Sequence, residues 1–580
     1  MFVYGDFRTE QTCEQALESV VRALKRIGAL GPGLERHAAL VRAFMSAAEL
    51  AQGVADADFE ARGVDAPSNR QTAANALLMS IAEQIAVSWD TGLRADIFPE
   101  IDVDHLRESL APAGLITTSR AEGYDFYALY PELYVEAARR SGLPAKTVVI
   151  GIRSIGLGLA ALIAAALGAK PPKSFRPVGH PFRRELRAET ILVAEALSDP
   201  AAPVAIVDEG PGLSGSSFGA VVEWLQSLGV AASRIHLFPS HEGGPGPEAA
   251  EQYRGAWAHS ARHCAGFDEV IGDSTHPSRS LRSWIGDLLG TDGFELTDFF
   301  GGAWRKIVYA DPAQWPSCDP RQERRKYLVS SGADWWLARF AGLGDTGEHK
   351  LALARTLHEG GFTSEPVGLC HGFLVERWVR GTPLPLSGFD KARLIDWLGS
   401  YLGYRARHCV ASQQGASLGE LTEMAGHNAE LALAGDFAMR LRRWFESRPV
   451  GPCRLTPVET DSRLHAWEFL VTPAGKLVKT DALDHAAAHD LVGCQDIAWD
   501  IAAAGIEHDL SSGELESLRI AVEAGSGREV DPRLVAFYTP CYLAFQIGLW
   551  TFATAGPDWE KSRQFALRER YMAKLGALLL

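Results

Sequence analysis

Apolar residues recur at spacings of three and four in EQALESVVRALKRIG, LERHAALVRAFMSAAELAQGVA and TAANALLMSIAEQIAVSW. That is the period of helices with one buried face, so residues 1–115 are expected to form a helical region. From about 116 to 275 the pattern changes to short β-rich runs alternating with helical ones: KTVVIGI, SIGLGLAALIAAALGA, VAIVDE, SSFGAVVEWLQSLG and RIHLFPS. Such alternation predicts a parallel sheet with right-handed crossovers, and ligands of such sheets bind beyond the carboxyl ends of the strands. A turn-rich stretch around HPSRSLRSW reads as a linker, 276–295. Beyond it FELTDFFGGAWRKIVY, RRKYLVSS and DWWLARFAG read as antiparallel strands, EHKLALARTLHEGGF as a helix, CHGFLVERWV as a further strand, and the remainder as mostly helical. A sheet followed by helices predicts a second, α+β unit over 296–580.

Length and charge narrow the picture. A chain of 580 residues exceeds one ordinary core. The formal charge of −15 disfavours a nucleic-acid backbone or an anionic membrane as partner. The opening MFVYGDFRTEQTCEQ lacks the basic and apolar regions of a secretion signal, and the most apolar run, LGLAALIAAALGA, is 13 residues, short of a membrane span. Eight cysteines stand singly with no CxxC, which predicts reduced thiols and a cytoplasmic protein.

Chemistry gathers first in AIVDEGPGLSGSSF, residues 205–218. A strand ends in two acids, Asp208 and Glu209; a Gly/Ser loop of Leu213, Ser214, Gly215, Ser216 and Ser217 then opens a helix. Free N–H groups and hydroxyls at a helix start attract phosphate, while paired acids accept hydrogen bonds from vicinal hydroxyls. One ligand carrying a phosphate and a diol would use both. The loop lacks the GxSxG and GxxxxGK[ST] patterns, which argues against a hydrolase elbow or a Walker loop.

This segment resembles the signature loop of the type I phosphoribosyltransferases, with one extra residue between the second acid and the glycine. The resemblance implies phosphoribosyl pyrophosphate (PRPP) as substrate, with its ribose on Asp208 and Glu209 and its 5-phosphate on the serine loop. The turn after VVIGI, with Arg153 and Ser154, is similar to the family's pyrophosphate loop. The basic segment KSFRPVGHPFRRELRAET falls where the family has a mobile loop, so Arg183 and Arg184 are expected to assist the leaving pyrophosphate.

The C-terminal half resembles the aminoglycoside phosphotransferase and choline kinase-like group. QDIAWDIA matches that group's D-x-A-x-D-L-A helix start, and Asp481, ending LVKTD, matches its metal-binding Asp. In the catalytic segment Arg463 falls on the usual catalytic Asp, so Asp461 is the nearest substitute base, and Glu468 takes the place of the second metal ligand. Arg339 is expected to hold nucleotide phosphate with Glu348 as its ion-pair partner; Gly301 and Gly302 of FFGGAW are expected to form a phosphate-covering turn. Glu376 lies in FLVERWVRGTPL, which is similar to the adenine-side hinge. His485 and His489 have the spacing of zinc ligands without the HExxH glutamate, and read as surface or capping residues.

The expectation is therefore an α/β protein with a helical N-terminal region, a parallel-sheet phosphoribosyltransferase-like domain and an α+β protein-kinase-like domain. It implies PRPP and ATP as substrates with Mg²⁺, a small-molecule acceptor, and room for a homodimer. Two other readings stay open: a non-catalytic PRPP or nucleotide regulator, and a small-molecule kinase with a phosphosugar-binding domain.

Overall fold

The computed structural model describes residues 8–96, 101–111, 114–385, 388–432, 436–451, 453–486 and 492–580. The N-terminal region is helical as its periodicity predicts, but it opens on a strand. β1 (Arg8–Thr12) pairs antiparallel with β2 (Leu115–Ser119), so the boundary drawn at 115/116 cuts through a two-stranded ribbon. Between them run α1 (Cys13–Ile27), α2 (Leu34–Arg62), α3 (Asn69–Asp90) and α4 (Val103–Leu110). Thr12 and Gln15 form a reciprocal cap on α1, and Ser68 caps α3. Two further helices, α5 (Glu122–Phe126) and α6 (Pro131–Ser141), lead to the sheet.

The parallel sheet is built from β3 (Val148–Ile152), β4 (Lys173–Phe175), β7 (Val204–Val207), β8 (Ile235–Phe238) and β9 (Ala261–Arg262) in the order β4–β3–β7–β8–β9. A small antiparallel hairpin, β5 (Val178–His180) and β6 (Arg183–Glu185), stands apart from it. In chain order that sheet reads 2-1-3-4-5, which reverses direction between β3 and β7 and leaves a crevice beyond their carboxyl ends. The crossover helices include α7 (Gly156–Leu167), α8 (Ala194–Ser198), α9 (Ser216–Ser227) and α10 (Glu251–His259). α7 is apolar all round because it is covered on both sides: Leu157, Leu159, Leu162 and Ile163 are fully buried between the sheet and the N-terminal helices. Each such side chain contributes roughly 1.5–3 kcal/mol by burial.

Residues 276–295, read as a linker, carry α11 (Leu281–Leu289), whose Leu281, Trp284 and Ile285 are buried. They belong to a core that runs without a break from Leu50 and Leu78 through Leu162 and Trp284 to Phe340 and Phe373 in the second half.

That half begins with a five-stranded antiparallel sheet. β10 (Glu295–Asp298), β11 (Lys326–Ser331), β12 (Asp334–Phe340), β13 (Pro366–Cys370) and β14 (Phe373–Arg377) lie in the order β10–β11–β12–β14–β13. FELTDFFGGAWRKIVY was expected to be strand-forming around a turn at Gly301–Gly302, yet only Glu295–Asp298 pairs; residues 299–325 leave the sheet and include α12 (Arg305–Val308). α13 (Gly344–Glu359) follows β12. Next come β15 (Thr382–Pro383), α14 (Lys391–His408), α15 (Leu418–Ala432), α16 (Phe437–Ser447), β16 (Pro457–Val458), β17 (Phe469–Val471), β18 (Leu477–Lys479) and β19 (Gln495–Asp496). Four helices complete it: α17 (Ala498–Glu507), α18 (Ser512–Ser526), α19 (Pro532–Ala553) and α20 (Lys561–Leu578). Among the described residues no helix is long and apolar enough to cross a membrane.

Candidate functional sites

At the crevice of the parallel sheet, backbone packing brings two loops together. A Cβ on Gly156 would meet the Val207 carbonyl at 2.5 Å and Asp208 Cα at 3.3 Å, so only glycine lets the start of α7 abut the end of β7. Asp208 and Glu209 follow β7, half-buried, with the Tyr134 hydroxyl donating to the Asp208 carbonyl at 2.9 Å. Burial raises Asp208 to about 8, reinforced by the Glu209 charge and opposed by a backbone N–H from Glu209 and by Arg176. Burial likewise lifts Glu209 to about 7, with Glu122 adding to it. Gly215, at φ 64°, turns the loop into α9. Ser214 and Ser216 hydroxyls lie 2.9 Å apart, Ser217 is half-buried beside them, and Leu213 is exposed.

Beside these acids lies a cavity of about 270 Å³ lined by Ser154, Ile155, Arg176, Glu209, Arg8 and Arg120. It therefore combines hydroxyl, carboxylate and guanidinium groups, the set a phosphosugar requires.

Arg153 does not join it. Its side chain is fully buried and spent on the protein: Nε pairs with Asp56 at 2.9 Å, one terminal nitrogen bonds the Ser174 hydroxyl at 3.1 Å, and the other holds Asp65. The expectation that Arg153 would pair with pyrophosphate is corrected, because two aspartates of the N-terminal region outcompete a ligand for it. Arg176, which also pairs with Asp56, is the guanidinium that reaches the cavity.

The basic segment forms the β5–β6 hairpin. Its tip rests on the serine loop, where the Ser216 hydroxyl donates to the Pro181 carbonyl at 2.5 Å. Arg183 is exposed, and Arg184 bonds the Gly179 carbonyl at 3.1 Å. The expected closure over pyrophosphate is thus replaced by a contact on the phosphate cradle, which a phosphate at Ser216 would have to displace.

In the second half Arg339 lies on β12, the third strand of its sheet. Its ion-pair partner is Glu376 on β14, at 2.8 Å. Glu348 instead pairs with Arg42 at 2.5 Å on the outer face of α13, so its assignment to Arg339 is corrected by helix phase. The residue α13 turns inward is Lys350, 2.7 Å from Asp484. Arg339 also approaches Asp481 (3.4 Å) and Asp484 (3.1 Å), and Arg324 binds Asp484 at 2.8 Å. These cations hold Asp484 well below the usual carboxylate range, whereas burial drops Lys350 to about 8.

Asp461 is fully buried, 2.5 Å from the Tyr401 hydroxyl and 3.4 Å from Lys479 Nζ, with Arg405 at 3.9 Å. A carboxylate so enclosed cannot take a proton from a substrate, and its assignment as substitute base is corrected. Asp500 accepts the backbone N–H groups of Asp461 and Ser462, both at 2.8 Å, and so fixes the segment that carries Arg463. Glu468 is bound by Lys479 Nζ at 2.8 Å; the same ammonium contacts the Asp481 carbonyl. His485 lies 3.5 Å from Asp481, while its expected companion His489 falls outside the described residues. The residues expected to hold Mg²⁺ are each engaged by a fixed cation, Glu468 by Lys479 at 2.8 Å and Asp481 by Arg339 at 3.4 Å, and do not fit a divalent ion in this arrangement.

Gly301 and Gly302 lie at positive φ in a turn where Gly302 packs against Arg305 and Cys318. Residues 299–325 are strapped to α20: Arg305, buried, contacts both carboxylate oxygens of buried Glu560 at 3.0 Å, and Gln564 donates to the Cys318 carbonyl at 2.9 Å. The two candidate centres are joined by Asp125 and Phe126, since Asp125 lines the cavity while Phe126 lies under the Arg324 and Lys350 cations.

Sequence reasoning passed over Lys479, Asp484 and Lys350. The signal was present in LVKTDALD, where a strand period of two puts Lys479 on the face of Asp481.

No family model matches the chain, and no curated protein matches it. Solved structures resemble part of it. Choline kinase LicA from Streptococcus pneumoniae is 16% identical over 43% of this chain and 89% of its own, with a TM-score of 0.30. Macrolide 2'-phosphotransferase MphH from Brachybacterium faecium is 16% identical over 47% and 96%, with a TM-score of 0.31. Spectinomycin phosphotransferase APH(9)-Ia, in complex with ADP and spectinomycin, is 13% identical over 48% and 88%, at 0.32. Similarity at this level carries no weight for fold or activity.

Proposed function

We propose that the parallel-sheet half is a PRPP-dependent transferase, moving a phosphoribosyl group to a small-molecule acceptor with release of pyrophosphate. What supports this reading is that Asp208–Glu209 and the Ser214–Ser217 helix start follow β7 at the strand reversal, with Glu209 lining a cavity together with Ser154 and Arg176. The ribose diol is bound by the two acids, the 5-phosphate by the serine hydroxyls and the N–H groups at the start of α9. Arg176 is the cation nearest the departing diphosphate. As C1 loses the pyrophosphate the acceptor nucleophile bonds to it, and fixed charges around the cavity stabilise the transition state without reorganising. PRPP supplied with Mg²⁺ is expected to bind, and a mixture of candidate acceptors to release pyrophosphate. The absence of both PRPP binding and pyrophosphate release would overturn the assignment.

For the C-terminal half the proposal is a kinase-derived nucleotide-binding unit whose own cations stand in for the divalent ion. What supports it is Lys479 between Glu468 and Asp461, together with Arg463 where a base is needed. ATP is expected to bind with an affinity that EDTA changes less than about threefold, equivalent to under 1 kcal/mol. A strict Mg²⁺ requirement with phosphoryl transfer to a small molecule would show instead an active phosphotransferase.

A further inference from the structure

His37 of α2, Glu132 of α6 and His371 in the turn between β13 and β14 meet in the interior, where their ligand atoms all lie within 4.8 Å of one another. Both imidazole Nε2 atoms are 2.7 Å from the same oxygen, Glu132 Oε1. The three residues are 0%, 0% and 6% exposed, each from a different part of the chain. Glu132 Oε2 is equally buried and has no hydrogen-bond partner among the described residues.

An all-protein account of this cluster is incomplete. Two imidazole N–H groups satisfy Oε1 but leave Oε2 bare in the core, where an unmet carboxylate oxygen is costly. An ion held by both oxygens of Glu132 and one nitrogen of each histidine answers every one of these atoms. We propose that His37, Glu132 and His371 form a binding site for a divalent transition-metal ion, with zinc as its simplest occupant.

The chemistry of the donor set selects the ion. Imidazole nitrogen with carboxylate suits zinc and its neighbours in the first transition row over magnesium or calcium, which prefer all-oxygen shells. Metal–nitrogen distances of about 2.0–2.1 Å require the nitrogens and oxygen to spread by only about half an ångström from their hydrogen-bonded spacing. His37 Nδ1 lies 2.9 Å from the Ser88 hydroxyl, the outer contact that orients a ligating imidazole and sets its tautomer. Trp89 packs near His37, and Tyr130 and Trp284 lie edge-on to His371. This wall gives a closed site, of the kind that holds a structure together rather than activating water.

Its position says what it would hold. Helix α6 supplies Glu132; its Tyr130 donates to the His371 carbonyl at 2.7 Å, and its Tyr134 donates to the Asp208 carbonyl at 2.9 Å. An ion here therefore ties the N-terminal helices to the antiparallel sheet through the helix that also supports the acid pair. Because the site is enclosed, the ion would enter as the chain folds.

Protein prepared in zinc-supplemented medium is expected to carry about one equivalent of zinc per chain after exhaustive dialysis. Refolding in the presence of a chelator is expected to lower the Tm by about 5 °C or more, and zinc should restore it. Refolding with Co²⁺ should give visible d–d absorption of nitrogen–oxygen ligation. Glu132→Gln should lose the ion while keeping the volume, and His371→Asn gives a second test should that variant not fold. Less than about a tenth of an equivalent of metal in the wild-type chain, no Co²⁺ spectrum and a Tm indifferent to zinc would overturn the site. None of these readouts depends on PRPP, so they fail or succeed apart from the transferase reading.

Discussion

Asp208→Ala combined with Glu209→Ala is expected to lower pyrophosphate release at least about 100-fold. Each acid supplies a charged hydrogen bond to the ribose worth about 1.5–3 kcal/mol, and two such losses compound in the rate. The same acids give the reaction a pH signature. Burial raises Asp208 to about 8 and Glu209 to about 7, so the ligand-free protein gains its second carboxylate only above neutrality, and PRPP affinity should climb between pH 6 and 9. Stability runs the other way. A carboxyl whose folded pKa lies above its unfolded value stabilises the fold fully below about pH 4, and that contribution is lost as pH rises through 7 to 8. Asp208→Asn removes this cost while keeping the shape. It should therefore raise the Tm at pH 8.5, by about 1 °C for each kcal/mol relieved in a chain of this length, while lowering turnover about 10-fold or more. Unchanged PRPP affinity and turnover in the double variant would sink the assignment of this site.

Glu560→Ala is expected to cost about 3–5 kcal/mol in equilibrium unfolding. Arg305 and Glu560 are 1% and 0% exposed, and removing the carboxylate leaves the guanidinium buried without its counter-charge and the Cys318 N–H without its acceptor. Glu560→Gln keeps one acceptor oxygen that Arg305 and the Cys318 N–H can share, and should recover part of the loss. Urea unfolding followed through the nearby Trp315 and Trp559, whose rings lie against Arg305, reads the difference directly. A loss under about 1 kcal/mol for the alanine variant would mean that water reaches Arg305 and the strap is loose.

What the sequence made legible was local. Apolar periodicity gave the helices of the first 110 residues and the alternating strands and helices around AIVDEGPGLSGSSF, because those patterns record one buried face each. The acid pair and serine loop were readable for the same reason, being contiguous in the chain. Partnerships across long separations were not. Arg153 looks like a free anion-binding residue until Asp56 and Asp65 fold onto it from about ninety residues upstream. Glu348 and Lys350 differ by two helical positions, about 200°, and only packing decides which of them faces inward. The strand pairing expected through WRKIVY failed because burial of Arg305 against Glu560 competes with sheet pairing, and Glu560 is invisible from that stretch.

The strap also has a direction in time. β10 and β11 are neighbours in the sheet, yet the connection between them cannot find its carboxylate until a residue 255 positions after Arg305 has been made. At about 5–20 residues per second of synthesis, that is a wait of roughly 13–50 s. For the later part of that wait, once β14 has been made, the sheet is able to form while Arg305, Trp315 and Cys318 still lack Glu560. A nascent chain of this protein would thus be synthesised through 255 of its 580 residues with that fastening undone, a stretch in which a chaperone that covers basic and aromatic loops has something to hold.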